Sequence, residues 1–275
     1  MRIDAHQHFW KYNASDYLWI SDQMKILKKD FLPGDLLMEL EGIQFEGSVA
    51  VQARQSLEET RWLLKFAGRY DFIKGVVGWI DLCSDEIEEQ IREFVKYRKF
   101  VGVRHVLHDE PDDRFMLSES FIRGIGTIGN YNLVYDILIF PKHLSNAEEL
   151  VIRFPGQKFV LDHIAKPLIK ERIISPWKEG IEQLARHSNV SCKLSGMVTE
   201  ALWKGWKKED FTPYLDVVFD SFGPSRLMIG SDWPLCTVSS GYSATMKIVL
   251  DYVQSLKQVE REMILGMNAK RIYNL

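Results

Sequence analysis

Apolar, β-branched runs recur along the chain, separated by amphipathic stretches. The first is Ile3–His8, and the others are Gly47–Gln52, Ile73–Ile80, Phe100–Val106, Leu133–Leu138, Phe159–His163, Val190–Leu194 and Arg226–Asp232. These runs are nearly continuous in apolar residues rather than cleanly alternating with polar ones. That pattern marks strands covered on both faces, as in a parallel sheet. The stretches between them carry helical spacing. In Leu57–Tyr70, Leu57, Leu64 and Phe66 stand against Glu58, Glu59, Arg61 and Lys65. Ser84 is expected to cap a helix over Asp85–Tyr97, with acids early and Lys96 and Arg98 late, the order a helix dipole favours. Ser145 is expected to cap a helix running through Phe154 and stopping at Pro155-Gly156. Trp177–His187, Tyr214–Phe222 and Tyr242–Leu256 follow, and Glu260–Tyr273 adds a terminal helix.

Eight strands alternating with helices predict the α/β class and a single (β/α)8 TIM barrel. A length of 275 residues suits that fold, and no Gly/Ser-rich linker divides the chain, so residues 1–275 read as one domain. Lys11–Phe31 stands apart. It is polar, rich in aromatics and placed directly after the first strand, where a long loop overhangs the active face.

Composition narrows the function. Hydrophobic residues make up 46% of the chain, enough for a sizeable core. A net charge of -3 offers no attraction for nucleic acid or an anionic membrane, so a small molecule is the expected partner. Cys83, Cys192 and Cys236 are far apart in sequence and form no CxxC pair, which suits a reducing compartment. With no leader ahead of His6 and no run of membrane-spanning length, a cytoplasmic location is expected. The oligomeric state is left open, a homodimer included.

On this fold, active sites gather at the C-terminal ends of the strands. Those ends supply His6 and His8, Gln52 and Arg54, Trp79 and Asp81, Arg104 with His105 and His108, His163 and Lys166, Lys193, and Asp232 followed by Trp233. His6 and His8 share one face of their strand, because side chains alternate with period two. His6, His8, His163 and Asp232 form a coherent set. Three imidazoles and a carboxylate suit one divalent ion, zinc best, which polarises a carbonyl. Asp232 could instead, or also, take the proton of an attacking water. Arg104, Lys166 and Lys193 are candidates for holding substrate. Trp10, Trp79 and Trp233 lie where a sugar-like ring could stack. Plainer roles stand beside these: core-bonded histidines, a helix cap for Asp232, and buried ion pairs for Arg104 and Lys193. Arg104 and His105 point to opposite faces, so only one can face the barrel axis.

The motifs DAHQHFW (4–10), VGWID (77–81), GVR (102–104), DHIAKP (162–167), CKLSG (192–196), GSDWP (230–234) and ILGMNA (264–269) occur in this order. Together they resemble the amidohydrolase superfamily, and more narrowly its amidohydrolase-2 branch of sugar lactonases, which includes L-fuconolactonases and L-rhamnonolactonases. The resemblance implies a barrel that opens a sugar-derived lactone in carbohydrate metabolism. By family motif, His6, His8, His163 and Asp232 carry over to the metal-or-carbonyl site. Asp232 would be the general base, and Arg104 or Lys166 would contact substrate. Strand four has no lysine to become a bridging carbamate, and strand five has no histidine. At most one ion is therefore implied, and a site working without an ion is admitted. A decarboxylase, another ester or amide hydrolase, and a sugar-acid-binding barrel without turnover remain as alternatives.

Overall fold

The computed structural model describes all residues, 1–275. Eight strands form one sheet in sequence order: β1 Ile3–Gln7, β2 Gly47–Val51, β3 Ile73–Gly78, β4 Phe100–Val106, β5 Val134–Leu138, β6 Phe159–Leu161, β7 Val190–Leu194 and β8 Leu227–Ile229. Each of the seven neighbouring pairs from β1·β2 to β7·β8 is parallel. The ring closes just past β8. The His8 N–H donates to the Trp233 carbonyl at 2.7 Å, and the Asp232 N–H donates to the His6 carbonyl at 2.8 Å. The architecture is the expected (β/α)8 barrel.

Two apolar clusters fill it. The larger lies between sheet and helices. The smaller joins Ile3, Val49, Val77, Val134, Val160 and Met228 from the strands to Ile272 and Tyr273 of the terminal helix. That helix therefore plugs the N-terminal end of the barrel.

Most expected helices are present: α2 Leu57–Arg69, α3 Ile87–Phe94, α6 Trp177–Leu184 and α9 Tyr242–Tyr252 with shorter ends, and α8 Thr212–Phe222, which starts ahead of the expected Tyr214. Two expected caps differ. Ser84 Oγ accepts the Glu86 N–H in a turn before α3 rather than capping it. Ser145 lies inside α5 (Leu144–Arg153), because the turn Pro141–His143 already starts the coil. Two helices lacked a clear pattern. Pro33 opens α1 (Pro33–Gly42), where Asp35 Oδ2 accepts the Leu32 N–H at 2.8 Å. In α4 (Glu119–Asn130), Phe121, Ile125 and Ile128 keep helical spacing, but the glycines at 124, 126 and 129 lower its helix propensity. Gly124 lies so close to β3's connection that a Cβ there would meet the Leu82 carbonyl oxygen at 2.2 Å. The terminal segment is broken into α10 (Gln258–Glu262), a π-turn over Met263–Met267 and α11 (Asn268–Tyr273), with the short α7 (Met197–Glu200) earlier in the chain.

Lys11–Phe31 folds over the C-terminal end of the barrel as expected. Trp10 and Phe31 pair through two backbone hydrogen bonds of 3.0 and 2.9 Å, which tie the loop at its neck. No helix is long and apolar enough to cross a membrane.

Candidate active site

β1 delivers His6 and His8, the chain leaving β6 delivers His163, and the chain leaving β8 delivers Asp232. All four are buried. Asp232 Oδ1 lies 3.3 Å from His8 Nε2 and 3.9 Å from both His6 Nε2 and His163 Nε2. The His6 and His8 Nε2 atoms are 3.1 Å apart. The four residues named from sequence thus converge on one point.

Hydrogen bonds assign one of the tautomers. His8 Nδ1 lies 2.8 Å from the Val51 carbonyl, which only accepts, so Nδ1 carries the proton and Nε2 is bare. Both ring nitrogens of His6 face donors, Arg104 Nη1 at 3.2 Å from Nε2 and Lys193 Nζ at 3.3 Å from Nδ1, and Nδ1 also lies 3.3 Å from Asp162 Oδ1. His163 Nδ1 meets Ser195 Oγ at 2.9 Å, and a hydroxyl can donate or accept. His6 and His163 each retain a choice of tautomer.

The polypeptide reaches this arrangement through unusual backbone. His163, Ile164, Ala165 and Lys166 all have positive φ, from 49° to 59°, and so does Asp232 at 56°. Each such residue costs about 1–2 kcal/mol. The turn is held by Lys166 N–H to His163 O at 2.8 Å and Trp177 Nε1–H to Ile164 O at 2.7 Å. Gly196, at φ 64°, leaves room for the His163 ring, since a Cβ there would sit 2.4 Å from Nδ1.

Burial holds the His6 and His163 imidazoles well below their ordinary titration range, so both are neutral. Burial pushes Asp232 upward, but His163 and His8 outweigh it and the carboxyl lies below its usual range. Its Oδ1 is buried without a hydrogen-bond partner. The Nε2 atoms of His6 and His8, 3.1 Å apart beside an unpartnered carboxylate oxygen, fit a small divalent cation. A nitrogen-and-oxygen donor set of this kind suits zinc.

The cluster floors a cavity of about 830 Å³ at the C-terminal end of the barrel. A depression of about 900 Å³ at the opposite face, near Met1, Arg2 and Lys247, holds no such cluster. Arg104 and Lys166 line the cavity. Arg104 also donates to Asp162 Oδ2 at 3.0 Å, and Lys166 Nζ contacts Glu200 Oε1 at 2.6 Å. Arg104 faces inward, while His105 packs outward against Phe115 and Phe121.

Three expected substrate contacts lie elsewhere. Lys193 is fully buried beneath the floor, with Nζ 2.5 Å from Asp136 and 3.0 Å from Asp162, so its plainer role as an ion-pair partner is the one seen. Trp79 turns its indole N–H toward His105 Nδ1 at 3.3 Å. Trp233 is buried against Phe9 and Phe31. Neither tryptophan lines the cavity, and Trp10 packs in the loop neck. Trp19, Phe140 and Trp203 form the aromatic walls instead. Sequence reasoning also passed over Asp16, Glu200 and Trp203. Asp16 and Trp203 come from loops and Glu200 from the last residue of the short α7, none with a periodic pattern, and only the excess of aromatics in 11–31 pointed toward that loop.

A family profile described as "Amidohydrolase" matches residues 3–275. The chain belongs to the amidohydrolase family. This amidohydrolase is 38% identical to an L-fucono-1,5-lactonase of Burkholderia multivorans over 286 residues, covering 100% of this chain and 96% of that protein. It is 37% identical to an L-fucono-1,5-lactonase of Burkholderia ambifaria over 246 residues, covering 88% and 83%. Among solved structures, it superposes on an amidohydrolase from Burkholderia multivorans with bound zinc at a TM-score of 0.97, with 38% identity and coverage of 100% and 99%.

Proposed function

We propose that this amidohydrolase opens a sugar-derived lactone, an aldonolactone such as L-fucono- or L-rhamnonolactone, to the free hydroxy acid. The observation that carries the reading is Asp232 Oδ1. It is a buried carboxylate oxygen without a hydrogen-bond partner, set among three imidazoles on the cavity floor. A carboxylate left incomplete at that place is ready to accept a proton. The kinship with two L-fucono-1,5-lactonases supports the substrate class.

Water attacks the lactone carbonyl carbon and yields one proton to Asp232. The carbonyl oxygen becomes an oxyanion, which the Arg104 guanidinium can meet as a donor, joined by the Nε2–H tautomer of His163 when no ion is held there. Collapse then breaks the bond from the carbonyl carbon to the ring oxygen. That oxygen takes the proton from Asp232 and becomes the new hydroxyl. His6, His8, His163 and Asp232 would hold a divalent ion, which when bound supplies a Lewis acid for the carbonyl. Lys166 and Glu200 present paired donor and acceptor groups for sugar hydroxyls, and Trp19 and Trp203 offer aromatic faces.

The test is a panel of aldonolactones assayed for acid release with a pH indicator, on protein with and without chelator. At least one lactone is expected to turn over. Asp232→Asn should lower kcat about 10²- to 10⁴-fold on that substrate. Acid from none of the panel would reject the substrate class, and an unchanged rate in Asp232→Asn would reject its role as base.

A further inference from the structure

Trp79, just past β3, and His105, on β4, stand at strand ends, and the proposed reaction uses neither. The structure joins them to the cavity wall through a third residue. Trp79 donates its indole Nε1–H to His105 Nδ1 at 3.3 Å, and His105 Nε2 lies 2.6 Å from Glu110 Oε1. An indole N–H only donates and a carboxylate oxygen accepts, so both contacts select the same form of His105, with Nδ1 bare and Nε2 protonated. Burial lowers the His105 pKa below its ordinary value, against the pull of Glu110, and keeps the ring neutral. Phe115 stacks on that ring with centroids 5.2 Å apart, and Phe121 meets it edge-on at 5.8 Å. The imidazole is thus clamped in position as well as in tautomer.

Glu110 follows the turn Leu107–Asp109 and lines the cavity. Besides Asp232, the acids sharing that lining are Asp16, Glu58, Asp109 and Glu200. Arg54 answers Asp16, and Lys166 answers Glu200, so those carboxylates are neutralised by cations. Glu58 and Asp109 are exposed. The Glu110 side chain is only 21% exposed, and its partner is the neutral His105. One of its oxygens is held from behind, and Oε2 is left without a partner in the protein. A neutral donor fixes a carboxylate without cancelling its charge. Such an oxygen takes a hydroxyl hydrogen in a charge-assisted bond, roughly twice as strong as a neutral one. The same charge repels a second carboxylate. Stability is a weaker account of the pair, since partly exposed pairs contribute little.

We propose that Glu110 is a specificity-determining contact that accepts a substrate hydroxyl on Oε2, and that Trp79 and His105 are positioning residues that aim it. Given lactone hydrolysis as the reaction, on which this contact rests, the site selects neutral polyhydroxy lactones over lactones that carry a carboxylate. β4 then serves the cavity twice, with Arg104 turned in to the floor and His105 reaching round to the wall.

Three substrates test this: the aldonolactone that turns over fastest, δ-valerolactone, which has no hydroxyl, and D-glucaro-1,4-lactone, which carries a carboxylate. In Glu110→Gln, KM for the aldonolactone should rise about tenfold with kcat within about twofold. The δ-valerolactone kinetics should not change, and kcat/KM for D-glucaro-1,4-lactone should rise about threefold. Trp79→Phe removes the indole donor and frees the His105 tautomer. It should raise the aldonolactone KM about threefold and leave δ-valerolactone unaffected. With histidine labelled by 15N and His105 assigned by its loss in His105→Asn, the wild type should show a bare Nδ1 and a protonated Nε2. In Trp79→Phe the two signals should move toward each other as tautomers mix. An unchanged aldonolactone KM in Glu110→Gln overturns the contact, and so does an equal effect on δ-valerolactone, the mark of a merely structural role. Unchanged His105 signals in Trp79→Phe overturn the positioning role. Calorimetry reads the contact without turnover: adding Glu110→Gln to Asp232→Asn should weaken aldonolactone binding about tenfold. Equal affinities, or no binding, overturn the contact. A wild type inactive on every lactone, with binding that still depends on Glu110, would reject the reaction and uphold the contact.

Discussion

Two neighbouring polar clusters share the barrel interior and differ in how completely they are paired. On the cavity floor, Asp232 Oδ1 has no hydrogen-bond partner and no cation within ion-pair distance other than the imidazoles, and the Nε2 atoms of His6 and His8 face each other at 3.1 Å. Just beneath, Asp136 accepts from Tyr273 on both oxygens and from Lys193 on Oδ2, while Asp162 accepts from Arg104 on Oδ2 and has its Oδ1, which makes no hydrogen bond, ion-paired to Lys193 at 3.0 Å. Asp4, at the β1–β8 seam, is more fully engaged still. It accepts from the Ser231 amide and hydroxyl, the His6 amide and the Tyr242 hydroxyl. The residue types are nearly the same. Buried polar groups are ordinarily satisfied, so the cluster left open onto a cavity is the one fitted for chemistry. The closed clusters hold the strands that carry it.

The contrast breaks if the two clusters respond alike to mutation. Asp232→Asn should show the largest effect, an activity loss of about 10²- to 10⁴-fold with the thermal midpoint unchanged or raised. Parallel kinetics and melting curves check this, and a large fall in midpoint would place Asp232 with the closed clusters. Lys193→Met should do the reverse to stability. It leaves Asp136 without its cation, beside an Asp162 paired to Arg104, at a cost of about 3–5 kcal/mol in denaturant unfolding. Gly196→Ala joins both regions. It strains a residue at φ 64° and pushes on the His163 ring, so a loss of about 3 kcal/mol together with a lowered kcat is expected.

The smallest expected effect concerns the cavity rim. Glu59 caps the Ala53 and Arg54 amides at 2.9 and 2.8 Å, yet burial raises its pKa from 4.5 to about 7. A folded-state value above the unfolded one means the folded state holds the proton more tightly. The stabilisation is therefore complete below about pH 4.5 and is lost as pH rises toward about 7. The loss is on the order of 3 kcal/mol. Unfolding measured across that window should show the decline, and Glu59→Gln should flatten it. An identical pH slope in Glu59→Gln would remove Glu59 as its source.

Much of this was readable along the chain, and the errors have a common origin. The eight strands appeared as apolar runs because both sheet faces are covered, which is a local property of composition. His6 and His8 announced themselves through period-two spacing. Helix α4 escaped notice because Gly124 serves a close contact with the Leu82 backbone, which no periodicity records. Lys193 was read as a substrate contact because it follows an apolar strand toward the active end. Its partners come from β5 and the chain after β6. Trp79 and Trp233 were placed correctly at strand ends and wrongly aimed.

The sequence by itself determined the barrel, its strand order and the four residues at its working end, since these follow from hydrophobic pattern and from where strands stop. Only the closed tertiary structure decided that Arg104 faces inward and His105 outward, that Lys193 is sealed beneath the floor, and that His163 and Asp232 turn through left-handed backbone to meet His6 and His8. Those outcomes depend on strand register and ring closure. Both join residues far apart in the chain, and neither leaves a local trace.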